Sequence, residues 1–398
     1  MLRVISLVKT TIRFRALAAG GDHTGLGLFW LLRTNYDASA TDLRDKVFGL
    51  LGMAAKDEDE NGRPCITADY GMEVPEVYRL VAERLLAKFS TLAALSGAGV
   101  HYCQMWPLGN DYSLPSWVVN WASRQPLAFF GPAGDANSLY TTGVADGYDA
   151  CLGSLYSKEA VVEGRVLKLS GFVLDEITAC SELLTLDISS QLHRWQTRNI
   201  ICRFWSFRFK LFLCLGLFRA AAVWRCMHSR SNIAANAEAA NLFAHLLFAA
   251  SIAPGFDTDI VNDVLHSLSE TGRLLASIEE SPLGYSPLVL GASYKAILKL
   301  ASTWHALRWK NHSDVEKHAM YACHNGCAVR TRHGHVGKSL NRYAEVGDCI
   351  ALVRGGQLPL VLRPTPHREW NLVGECYVHG IMNGEAFDIN KCQEIRIV

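Results

Sequence analysis

A chain of 398 residues is too long for one small core and is read as two or three structural units. Hydrophobic residues make up 49% and charged residues 19%, which excludes a disordered polar chain. With 39 Lys plus Arg against 38 Asp plus Glu, no net field draws it to nucleic acid or to an acidic membrane surface.

Met1 to Ala18 is basic through Arg3, Lys9, Arg13 and Arg15, and reads either as a targeting stretch or as the edge of a larger domain. The 12 cysteines lack the dense spacing of a secreted scaffold, and no signal-peptide pattern precedes them, so a cytoplasmic setting is expected. The sequence DLRDKVFGLLG from Asp42 predicts a short helix capped by Asp42, with Asp45 three residues later and Gly52 as the stop. A longer helix is expected from Pro75, with Val77, Val81, Leu85, Phe89 and Leu92 on its apolar face. LPSWVVNW, Leu114 to Trp121, reads as a rigid buried loop anchored by Trp117 and Trp121 beside Pro115.

Residues 131–150 read as a linker, which separates a helical region over 1–130 from a mixed, mainly helical region over 151–315. Within the latter, 161–177 predicts two strands joined or bent at Gly171. Residues 201–224 are apolar but broken by Arg203, Arg208, Lys210 and Arg219, too short between charges for a stable membrane span. From 316 to 398 the runs CIALV, LPLVLR and WNLVGECYV, separated by turn groups, predict an antiparallel β-rich module. The fold class is therefore α+β, with helical N-terminal and central parts and a β-rich C-terminal module.

No complete catalytic constellation is visible, so no enzyme activity and no cofactor are expected. GHVGKS, Gly334 to Ser339, lacks the first glycine of a phosphate loop. Cys323, Cys327, His333 and His335 offer thiolate and imidazole ligands in a spacing that is no common zinc site, leaving a zinc hydrolase as an alternative. Cys376 and His379 lie three residues apart, which on a strand puts them on opposite faces, poor geometry for a thiol nucleophile and its base.

Four stretches, TDLRDKVFGLLGMA, ADYGMEVPEVYRLVAERLL, LPSWVVNW and the tail from VGDCIALV to LVGECYVHGIMNGEAF, resemble in order and spacing the part of fungal heterokaryon-incompatibility (HET) proteins that follows their N-terminal signature blocks. The resemblance implies structural roles for Asp42, Arg44, Asp45, Tyr70, Tyr78, Pro115, Trp117, Trp121, Gly347, Asp348, Arg363, Gly374, Glu375, Tyr377, His379, Gly380, Gly384 and Glu385. Glu375 and Glu385 are expected to be buried against Arg363 or His379, with contact to a ligand as the alternative. The "ALSYVWG" and "LWIDAICINQ" blocks of the family have no counterpart before Thr41, so a truncated or degenerate member is expected. What the resemblance implies is fungal non-self recognition and associated cell death, through contacts with an unknown incompatibility partner. A nucleotide-cleaving enzyme with a missing core and a membrane-active effector using residues 201–224 are the competing readings.

Overall fold

The computed structural model describes residues 27–36, 38–54, 66–88, 92–100, 114–123, 148–151, 160–180, 327–339 and 343–398. They fall into two compact units, one built from residues 1–177 and 347–398 and the other from residues 178–346. Among its described residues, the first contains three α-helices, α1 (Leu28–Thr34), α2 (Asp45–Leu51) and α3 (Val74–Lys88), and 3-10 turns at Leu92–Leu95 and Ile389–Lys391. Its strands are β1 (Val161–Glu163), most of β2 (Val166–Cys180), β5 (Cys349–Val353), β6 (Leu360–Pro364), β7 (Trp370–Val378) and β8 (Gln393–Ile397). The second contains β3 (Cys327–Thr331) and β4 (Val336–Ser339), an antiparallel hairpin.

Five strands of the first unit close on themselves. β2 pairs with β5, β5 with β6 and β6 with β7, all antiparallel; β7 meets β8 in parallel at Trp370 and Ile397, and β8 returns antiparallel to β2. Gly171 is opposite both Val353 of β5 and Gln393 of β8, so these two strands flank β2 on opposite edges, and the circuit is a barrel. Closure removes the unpaired edges that a five-stranded sheet would otherwise expose.

The pattern along β2 follows from this. Leu167 and Leu169 are buried while Lys168 and Ser170 are partly exposed, the alternation of a strand with one face inward. Lys168 on the outer face pairs with Glu163 at 2.6 Å. At Gly171 the strands come so close that a Cβ would stand 2.5 Å from the Leu352 carbonyl oxygen. Gly171 is thus a crossing point within one continuous strand and does not join two; the hairpin turn of this region lies at Gly164, with φ of +61°, between β1 and β2.

In β7, by contrast, every residue from Leu372 to Val378 is buried. Alternation cannot bury both faces of a barrel strand, so something must cover the outside. The cover is the N-terminal part of the chain. Leu92 N–H donates to Gly355 O at 3.2 Å, and Ala150 N–H to Gln357 O at 3.1 Å. Ser116 donates from both its N–H and its hydroxyl to Val398 O, and that hydroxyl oxygen also accepts the Leu372 N–H at 2.8 Å. Trp117, fully buried, donates its indole N–H to Arg165 O at 3.0 Å. LPSWVVNW is therefore a seam between the helical layer and three barrel strands, and Trp121 holds α1 through an edge-on contact with Phe29.

The β-rich C-terminal part of the α+β expectation holds, although β7–β8 adds a parallel pairing to the antiparallel order. The α-helices among the described residues are few, and all lie before residue 100; the helix-like sequence of 231–310 and the apolar stretch 201–224 lie outside the described residues. Among the described residues, no helix is long and apolar enough to cross a membrane. α3 buries Val77, Val81 and Leu85 as their spacing requires, but begins at Val74 and ends at Lys88; Leu92 belongs to the 3-10 turn. α2 begins at Asp45, without Asp42 as its cap: the residue before the helix is Arg44, which makes no side-chain cap hydrogen bond.

Candidate functional site

Half of the motif residues fall into three clusters in the described part of the chain. The first ties two of the motifs, TDLRDKV and ADYG, together. Asp42 Oδ1 accepts the Arg44 backbone N–H at 2.9 Å, and its carboxylate takes a two-pronged grip from the Arg44 guanidinium, at 3.0 Å from Nε and 2.7 Å from Nη2. Arg44 Nη1 then reaches the Tyr70 and Met72 carbonyls, and the guanidinium lies 5.3 Å from the Tyr70 ring centre. Tyr70 Oη donates to Asp45 at 2.6 Å, and buried Tyr78 donates to Leu43 O at 2.7 Å. The hydrogen bonds of Arg44 hold the Asp42 carboxyl below its ordinary range, and burial pushes the Tyr78 phenol upward. Replacing Arg44 by alanine is expected to free the 69–72 turn. Faster hydrogen exchange there, with α3 still protected, is the result that checks it.

The second cluster sits where the chain returns to the barrel. Gly347, at φ of +97°, turns the chain into β5, and its N–H donates to Ile177 O at 2.9 Å while Ile177 N–H donates to Asp348 O at 2.8 Å. The Asp348 side chain, 2% exposed, takes two hydrogen bonds from Arg363 of β6, 2.7 Å from Nε and 3.0 Å from Nη2. A bidentate guanidinium is the partner that makes burial of a carboxylate tolerable.

The third lies under the helical layer. Glu375 of β7 is buried, and the one hydrogen bond to its carboxylate comes from Ser96 Oγ at 2.9 Å. Buried Arg33 of α1 is the cation that acts on it. Desolvation pushes the Glu375 carboxyl up to about 7 against the opposing effects of Ser96 and Arg33, and lowers Arg33 to about 10. The partners expected for Glu375, Arg363 and His379, are engaged elsewhere: Arg363 with Asp348, and His379 Nδ1 with Tyr377 Oη at 3.2 Å. No spacing rule links residues 33, 96 and 375, so this cluster could not be found before the fold was known.

Beyond it, β7 runs into turns at Gly380 and Gly384, with φ of +82° and +83°. Gly374 pairs with Val361 beside the register shift of β6 and β7. Glu385 is exposed and accepts the Asn383 N–H at 2.8 Å, an interaction within its own turn. Cys376 is fully buried, with its thiol 3.6 Å from Pro359 O, and desolvation pushes it far above the ordinary thiol range. A thiol held neutral and turned away from solvent is no nucleophile.

Of the possible zinc ligands, Cys323 lies outside the described residues. Cys327 is buried at the start of β3 with its sulfur 4.0 Å from Ala344 O; His333 and His335 belong to the β3–β4 turn, where Thr331 Oγ1 accepts the His335 N–H at 3.0 Å. Among the described residues, no three His, Cys, Asp or Glu side chains are grouped to hold a metal ion, and no disulfide joins two cysteines.

These features define a protein built on a closed five-stranded β-barrel wrapped on one side by N-terminal segments. The family model described as the Het-6 beta-barrel domain matches residues 292–398, the stretch that supplies four of the five strands. This match supports a relation of the chain to fungal HET proteins. Comparison with curated proteins and with solved structures returned no significant match.

Proposed function

We propose that the chain acts in fungal non-self recognition and its associated cell death as a non-catalytic scaffold that works through protein contacts in the cytoplasm. The observation that carries this reading is the Het-6 beta-barrel match over 292–398. The way the motif residues are used adds support: Arg44 ties two loops, Arg363 neutralises a buried carboxylate, and Ser116 stitches strands, so each polar group serves assembly. Recognition surfaces on rigid frameworks need this kind of support beneath them.

The test is expression of the chain in a recipient fungus, paired with strains of differing incompatibility type and scored for death of fused cells. The reaction is expected with some tester strains and not others, and it should survive Cys376→Ser unchanged. A folded Cys376→Ser protein that abolishes the reaction, or cleavage of NAD or stoichiometric zinc in the purified chain, would replace this reading by an enzymatic one. Flotation with vesicles would favour the membrane-active reading.

A further inference from the structure

The carboxylate of Glu375 is placed differently from that of Asp348, the other buried acid gripped across the barrel. Asp348 receives two guanidinium hydrogen bonds, whereas Glu375 receives one, from a hydroxyl. A single hydroxyl donor does not replace the hydration shell of an ionised carboxylate, which needs two or three donors when it is enclosed. The neutral acid suits the same pocket well, because the Ser96 hydroxyl can donate or accept. The location matters as much as the chemistry: Ser96 follows the 3-10 turn and donates to Glu375 on β7 across the seam between helical layer and barrel, and the charge of Arg33 on α1 acts on the same carboxylate. Among the described residues, the charged group that acts on Glu375 is Arg33 from α1; the neighbouring Cys376 thiol on β7 feels the Glu375 charge from the opposite face of the strand.

We propose that Glu375 and Ser96 form a proton-dependent latch that holds the helical layer tightly on the barrel when Glu375 is protonated and loosens it when Glu375 is ionised, with the charge of Arg33 opposing the change. The direction follows from linkage. The enclosed carboxyl titrates at about 7, above its value of 4.5 when exposed, so the closed seam binds a proton that the open seam releases. Closure is favoured at acid pH, and that advantage is lost as pH rises from about 4.5 through about 7. The chain thereby acquires a response to pH near neutrality that needs no histidine.

The test is hydrogen exchange of the full chain between pH 5.5 and 8, corrected for the intrinsic pH dependence of exchange. Protection of the α1 amides and of the 92–96 segment is expected to fall on the order of ten-fold or more across this range. In Glu375→Gln the corrected protection should be flat. If that variant does not fold, Ser96→Ala serves: removing the one donor to the ionised acid disfavours its charged form further, so the loss of protection should be larger and should continue to higher pH. Uniform protection in the wild-type chain at all pH values, or a wild-type slope retained in Glu375→Gln, would overturn the proposal.

Discussion

Replacing Arg363 by alanine is expected to destabilise the chain by about 3 kcal/mol, the cost of leaving a buried carboxylate without its charged partner. The Asp348 side chain is 2% exposed, so water cannot take over from the two guanidinium hydrogen bonds at 2.7 and 3.0 Å. The damage should concentrate at the β5–β6 pairing and at the Ile177–Gly347 hydrogen bonds, because Asp348 lies in the same turn. Urea unfolding followed by far-ultraviolet circular dichroism measures the loss. A paired substitution, Arg363→Leu with Asp348→Leu, is expected to recover most of it, since replacing both partners removes the orphan charge. If the single variant matches the wild type, the pair contributes nothing and the barrel is held elsewhere.

An isolated polypeptide of residues 292–398 is expected not to fold, although it contains the whole stretch matched by the barrel family model. It lacks β2, and with it the strand that closes the circuit between β5 and β8. β2 buries Leu167, Leu169, Phe172 and Ile177. At roughly 1.5–3 kcal/mol for each fully buried large apolar side chain, those four represent a contribution comparable with the whole stability of an ordinary domain. The fragment also loses Ser116, whose hydroxyl occupies the Leu372 N–H, and the cover over the outer face of β7. A chain joining residues 27–177 to 347–398 through a short linker should instead unfold cooperatively, because Gly347 N–H already donates to Ile177 O and Ile177 N–H to Asp348 O. Dispersed amide resonances from the 292–398 fragment alone would show that β2 is dispensable.

What could be read in the amino-acid order was whatever depends on near neighbours. CIALV, LPLVLR and WNLVGECYV announce β5, β6 and β7 because apolar runs bounded by turn residues have few other solutions. The apolar spacing of α3 was legible for the same reason. The misreadings all involve distant partners. Asp42 has every property of a helix cap, but Arg44 competes for it and is itself held by carbonyls at Tyr70 and Met72, so the helix starts later. Gly171 looks like a turn, since glycine usually is one between apolar runs; its true constraint is the Leu352 backbone from a strand far along the chain. QEIRI has too little apolar character to signal β8, and only pairing with β2 makes it a strand. Ser96, 279 positions from Glu375, carries no sequence signal of that contact. The motif residues were visible as a set through resemblance, while their division into three clusters required the fold.

The split barrel has a consequence for the order in which the molecule is made. β2 leaves the ribosome roughly 170 residues before β5; at roughly 5–20 residues per second of synthesis, about 10–30 seconds pass with only its first residues, 166–168, paired to β1 and its β5 and β8 partners not yet made. An apolar strand waiting that long invites pairing with a neighbouring nascent chain. Lys168, Asp175 and Glu176 place charge along VLKLSGFVLDEITAC, and these side chains act as gatekeepers during the wait; afterwards Lys168 and Glu176 stay partly exposed while Asp175 is buried. Production of the protein should therefore be limited by the survival of one exposed strand during translation. Slowing synthesis would lengthen that exposure, and supplying a chaperone that shields extended segments would raise the yield.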